Sequence, residues 1–226
     1  MKLHYTLLAL LLGLITRPVS AQGALDCGPL FGQRPEKEAS FLRLAPHGAS
    51  RPTEHRLIVG WSKGSREFVD QAPYQVHSQE GTRHLYCGYD PVVGMHLIYR
   101  ADTAASQGLL LNDATGEILP GGERVIFSGD RARYLALVQI DGADGKEWRV
   151  YSSTGKEMWS GFDCTPVANS RFCTPLEAPR WNTSAELEAV AKCWREADQA
   201  WQRKSVTLRL VNGRWAWTPT CRGATI

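Results

Sequence analysis

Apolar residues along this chain fall into two kinds of pattern. Between Arg56 and Trp159 they come in short runs set apart by turn signals about every ten residues. Leu57–Trp61, Arg83–Cys87, Met95–Tyr99, Leu109–Leu111, Arg124–Phe127, Tyr134–Ile140 and Trp148–Tyr151 each read as a strand, as does Lys156–Trp159. Strands this short, separated by glycine-rich turns, predict antiparallel pairing. From Thr183 the pattern changes to helical spacing: Leu187, Val190, Ala191, Trp194 and Trp201 line one face. Thr183 and Glu186 supply a capping box, so a helix is predicted from Thr183 to about Lys204. After it, Val206–Leu210 and Arg214–Trp217 flank Asn212-Gly213, a strong hairpin signal because both turn positions need positive φ.

Turn chemistry also repeats. TGEILPG at 115–121 is echoed by TGKEMWSG at 154–161, an offset of 39 residues. The second copy, VYSSTGKEMWSG, resembles the strand–turn–strand end of a quinoprotein-type propeller repeat. That resemblance implies blade-like sheets, while the plainer reading is two similar hairpins in one meander. The expected fold is therefore mainly β: an antiparallel meander, sandwich or partial propeller-like sheet, stapled by disulfides, with one C-terminal α-helix.

The ends of the chain set its address. Lys2, an apolar run from Leu7 to Ile15 broken only by Gly13, and Val19-Ser20-Ala21 read as a cleaved signal peptide over 1–21. The run is shorter than the about 20 residues a membrane helix needs, so stable insertion is not expected. The remaining 205 residues, 22–226, are read as one β-rich domain, and 22–56, with Pro29, Pro35, Pro46 and Pro52, as an irregular strap. Removing Lys2 and Arg17 lowers the formal charge from +3 to +1, which argues against nucleic acid as a partner. All six cysteines lie beyond the leader, and for an exported chain they predict three disulfides in an oxidising compartment, the periplasm. Layout favours Cys27 with Cys87, Cys164 with Cys173, and Cys193 with Cys221, one of fifteen pairings.

Candidate chemistry is sparse. Gly60-Trp61-Ser62-Lys63-Gly64 matches the G-x-S-x-G elbow of serine hydrolases and makes Ser62 a candidate nucleophile. The elbow needs a following helix, which 65–73 does not offer, so a glycine turn between strands is the competing reading. His47, His55, His77, His84 and His96 lack the spacing of a metal site, and no metal or other cofactor is expected. Carboxylates beside turns (Asp90, Asp102, Asp113, Glu117, Glu123, Asp130) leave a glycosidase pair open. Seven of eight tryptophans fall between Trp148 and Trp217. Trp215 and Trp217 share one strand face, which either packs on the helix or forms a docking platform. With an export signal, a stapled scaffold and many turns, the leading expectation is a non-enzymatic protein that binds another protein, an inhibitor or immunity protein against a cell-envelope effector. Its contact residues would be Asn112, Asp113, Glu117, Asp141 and Asp144, with Trp215 and Trp217. A hydrolase using Ser62 and a cell-wall carbohydrate-binding module are the alternatives.

Overall fold

A computed structural model describes residues 23–30, 35–72, 81–102, 107–139, 146–166, 173–195 and 199–219. These described residues form seventeen strands, one α-helix and one 3-10 turn, the strands lying in four antiparallel sheets. The first sheet is β2 (Ala49–Thr53), β3 (Arg56–Trp61) and β4 (Gly64–Val69). The second is the meander β5 (Thr82–Asp90), β6 (Met95–Asp102), β7 (Gln107–Asn112) and β8 (Ile118–Pro120). The third joins β9 (Arg124–Phe127), β10 (Arg133–Gln139), β11 (Lys146–Ser152) and β12 (Glu157–Phe162), with β1 (Ala24–Asp26) added beside β9. The fourth runs β13 (Cys164–Pro166), β14 (Cys173–Thr183), β15 (Glu186–Arg195), β16 (Ala200–Val211) and β17 (Arg214–Thr218).

The sheets stack in chain order, and strand alternation explains why. On β10, Tyr134 and Ala136 join a core shared with Leu97, Tyr99 and Leu110 of the second sheet. Leu135 and Leu137, pointing the other way, join Leu187, Val206 and Leu208 of the fourth. A strand buried on both faces reads as a continuous apolar run, as Tyr134–Val138 does. The second sheet is double-faced in the same way, since Tyr86, Ile98 and Leu111 pack against Leu57, Val59 and Phe68 of the first. Both copies of the sequence repeat are the last hairpin of a four-strand meander, β7–β8 and β11–β12. Their glycines, Gly116 and Gly155, take φ +71° and +77°. The mainly β, antiparallel reading of the sequence holds.

The helix does not lie where expected. Glu186–Arg195 and Ala200–Val211 pair antiparallel as β15 and β16, and the helix, α1, is Pro35–Arg43. The stretch read as helical also carries a period of two: Leu187, Ala189 and Ala191 are buried while their neighbours are not. Packing against β10 and β16 selects that period over the helix propensity of Ala, Glu and Lys. Thr183 caps a β-turn instead, its Oγ1 accepting from the Ala185 N–H at 3.2 Å. The N-terminal stretch is correspondingly more ordered than a strap, holding β1, α1 and β2.

Two devices fix this N-terminal part. Cys27 and Cys87 are disulfide-bonded, as the layout predicted, tying the chain after β1 to β5. Cys164 and Cys193 are each engaged in a further disulfide. A buried ion-pair cluster then anchors α1. Arg51 on β2 holds Glu38 of α1 through Nη2–Oε1 at 2.7 Å and donates to the His84 carbonyl at 2.5 Å. It also faces Asp70, whose Oδ1 accepts from the His84 backbone N–H at 2.8 Å. The second Glu38 role is to accept the Tyr86 N–H at 2.8 Å. Every charge in the cluster thus has a partner, which burial demands.

Candidate functional site

The turn between β7 and β8 is built from Asn112 outward. The Asn112 side-chain oxygen accepts from the N–H groups of Ala114 (2.9 Å) and Thr115 (3.1 Å), closing an Asx turn. Gly116 N–H returns to the Asn112 carbonyl at 2.8 Å in a left-handed conformation that suits glycine. A Cβ on Gly116 would come within 2.6 Å of the Trp61 indole, so the ring of β3 lies directly on this turn. Arg66 of β4 donates to the Gly116 carbonyl at 3.1 Å.

Asp113 ties the turn to three other segments. Its N–H donates to the Gly94 carbonyl at 2.9 Å, and its carbonyl accepts from the Ser62 N–H (3.0 Å) and hydroxyl (2.6 Å). Its carboxylate lies between two imidazoles: Oδ2 is 3.2 Å from Nε2 of His47, and Oδ1 is 3.2 Å from Nε2 of His96. His96 is fully buried, and its Nδ1 is 2.9 Å from the Tyr86 hydroxyl. Burial pushes the Tyr86 phenol well above its ordinary range, so Tyr86 stays a donor. His96 then accepts at Nδ1 and donates from Nε2–H to Asp113. Burial lowers the His96 pKa, against the opposing hydrogen bond and charge of Asp113, which keeps the ring neutral at pH 7. The result is a hydrogen-bonded chain from core to surface, Tyr86–His96–Asp113–His47, ending on an imidazole whose side chain is 41% exposed.

Chemically, this arrangement presents a fixed backbone. Asn112 and Asp113 turn inward to hold the turn, while Ala114, Thr115 and Glu117 face solvent. The G-x-S-x-G motif is the β3–β4 turn, followed by a strand rather than a helix, and the Ser62 hydroxyl is engaged by a backbone carbonyl. Ser62, His47 and Asp113 nevertheless meet in one patch. Asp141 and Asp144 lie outside the described residues, as do His77 and Cys221. Trp217 faces the core at 7% exposure, edge-on to Trp148 and Trp159, and Trp215 packs beside it under Arg133. The exposed aromatic pair is instead Trp194 and Trp201, which the helical reading had placed inside. Among the described residues, no group of three or more His, Cys, Asp or Glu is placed to hold a metal ion. Nor is any helix among them long and apolar enough to cross a membrane.

The two histidines on Asp113 are what sequence reasoning missed. Their one signal was the crowding of all five post-leader histidines into the first half of the chain. Neither a family model, nor a curated protein, nor a solved structure matches the chain.

Proposed function

We propose that this is an exported periplasmic protein that acts by binding another protein. Its most concrete form is an inhibitor or immunity protein that presents the β7–β8 turn to a cell-envelope effector. The observation that carries the reading is the fixed turn: solvent-facing Ala114, Thr115 and Glu117 sit on a backbone clamped by Asn112, Asp113 and the Trp61 ring. A loop already held in one conformation loses little freedom on docking, which favours tight recognition. The oxidised Cys27–Cys87 pair supports export, because such bonds persist outside the cytosol. The test is titration of the oxidised mature protein against purified envelope hydrolases, amidases, muramidases and phospholipases among them. Stoichiometric inhibition by the native chain, lost in Thr115→Arg, is expected. A folded native chain that binds none of them removes the reading.

One observation favours a second reading. Ser62, His47 and Asp113 converge from three separate segments, the residue types a hydrolase uses. A nucleophilic Ser62 would have to leave the Asp113 carbonyl and meet His47. Labelling by a serine-directed fluorophosphonate, abolished in Ser62→Ala and in His47→Ala, is the outcome this reading requires.

A further inference from the structure

The two repeated turns are held differently. At the offset of 39 residues, Asp113 corresponds to Ser152. The Ser152 hydroxyl bonds within its own turn, to Thr154 Oγ1 at 2.9 Å and the Lys156 N–H at 3.2 Å. The Asp113 carboxylate instead reaches outside its turn, and each of its oxygens meets an imidazole, His96 or His47. Closing the turn does not require this. Asn112 and Gly116 close it locally, as Ser152 and Gly155 close the other.

Both arms lead back to α1. On the buried arm, Tyr86 holds His96 with its hydroxyl and gives its backbone N–H to Glu38 of α1 at 2.8 Å. Glu38 is in turn gripped by both ends of the Arg51 guanidinium, at 2.7 and 3.2 Å. The exposed arm is His47, which lies in the connection from α1 to β2. The backbone there is pressed onto β3: the Gly60 N–H donates to the Gly48 carbonyl at 2.7 Å, and a Cβ on Gly60 would run into the His47 carbonyl oxygen. The contacts thus close a circuit, Glu38–Tyr86–His96–Asp113–His47, completed along β2 through Arg51 to Glu38. Breaking a buried link in it leaves a donor or acceptor unpaired away from water, so neighbouring links shift together. We infer that α1 controls the β7–β8 turn: seated on β5, it holds the turn shut through the Tyr86–His96 arm and the His47 arm, and displaced, it lets the turn open. Tyr86 and His96 are positioning residues that act on the turn through Asp113. The inference rests on the proposed function only in taking this turn as the presented surface; the link between α1 and the turn needs no partner.

Amide hydrogen exchange of the oxidised mature protein, followed by NMR, reads the link directly. The Gly155 amide, in the equivalent turn outside the circuit, is the internal reference. Glu38→Gln keeps the shape of the side chain but loses the charge that Arg51 grips. It should speed exchange at Thr115 and Gly116 about fivefold to tenfold, the worth of one buried hydrogen bond, while Gly155 keeps its rate. Tyr86→Phe, which removes only the hydroxyl, should do the same. Once both arms are cut by Tyr86→Phe with His47→Gln, adding Glu38→Gln should change the turn no further. In the native chain, whatever the variants do, the amides of α1 and of the turn should open together as sub-denaturing urea is raised. Four results would overturn the inference. These are unchanged rates at Thr115 and Gly116 in a folded Glu38→Gln chain, equal acceleration at Gly155, an undiminished Glu38→Gln effect after both arms are cut, or α1 amides that open in the native chain while the turn stays closed. A mature protein that inhibits no envelope hydrolase removes the protein-binding reading and leaves these exchange results standing, so the two failures are told apart.

Discussion

Gly116→Ala is the substitution that probes the clamped turn most sharply. Its backbone sits at φ +71°, which costs an L residue about 1–2 kcal/mol. The new methyl would also lie 2.6–2.7 Å from two indole carbons of Trp61, too close for any van der Waals contact. Trp61 is half-buried against the core of the first two sheets, so moving its ring disturbs packing, at an overpacking cost of about 1–3 kcal/mol. The two effects together predict a loss of roughly 2–5 kcal/mol. Urea denaturation followed by far-UV circular dichroism measures it without relying on tryptophan emission. The decisive form is a double-mutant cycle with Trp61→Ala. Once the ring is gone, Gly116→Ala should cost only its backbone share of about 1–2 kcal/mol. Costs that add to within about 0.5 kcal/mol in the double variant would refute the claim that Trp61 rests on this turn.

Four further outcomes are expected. Arg51→Met leaves Glu38 and Asp70 buried without their cation and should destabilise the fold by about 3–5 kcal/mol in chemical denaturation, far more than Arg56→Met, whose pair with Glu67 is exposed. Stability should also fall in two acid steps. Burial lowers His96 below its ordinary 6.5, so the unfolded chain takes up that proton first and stability declines as pH drops through 6.5, ending below the folded value. His96→Gln should remove this step from a plot of urea midpoint against pH. Burial tends to raise Asp70, but the His84 hydrogen bonds and the Arg51 charge outweigh it and hold it below its ordinary 3.8. Its contribution is complete above 3.8 and disappears as pH falls through the lower folded value, a step Asp70→Asn should abolish. Finally, replacing Cys27 and Cys87 together by Ala opens a link across 60 residues and should cost about 4 kcal/mol if chain entropy dominates, read from the shift in urea midpoint. Peptide mapping of the native protein should return Cys164 with Cys173 and Cys193 with Cys221.

How much of this was legible depends on how local the deciding physics is. Strands such as Arg124–Phe127 emerged with their observed bounds because a short apolar run between turn residues carries its own evidence. The repeat at Thr115 and Thr154 was visible because a positive-φ glycine is a local requirement, and it marks equivalent hairpins in two consecutive sheets. The error at 183–204 has the opposite origin. Leu187 to Trp201 satisfies two periods at once, and only the neighbouring sheet selects between them. That single misreading also exchanged the tryptophans, placing Trp194 and Trp201 inside and offering Trp215 and Trp217 to a partner. The Asp113 site was half legible. Its turn could be named from Asn112 to Glu117, but His47 and His96 reach Asp113 across 66 and 17 residues, and no spacing rule links them.

The measurement closest to the central claim is amide hydrogen exchange of the oxidised mature protein with and without an inhibited envelope hydrolase. Binding through the clamped turn predicts new protection concentrated at 113–117 and at the adjoining 61–64 turn, with Thr115→Arg abolishing both protection and inhibition. A complex that forms while this turn exchanges at its free rate, protected elsewhere and indifferent to Thr115→Arg, contradicts the account.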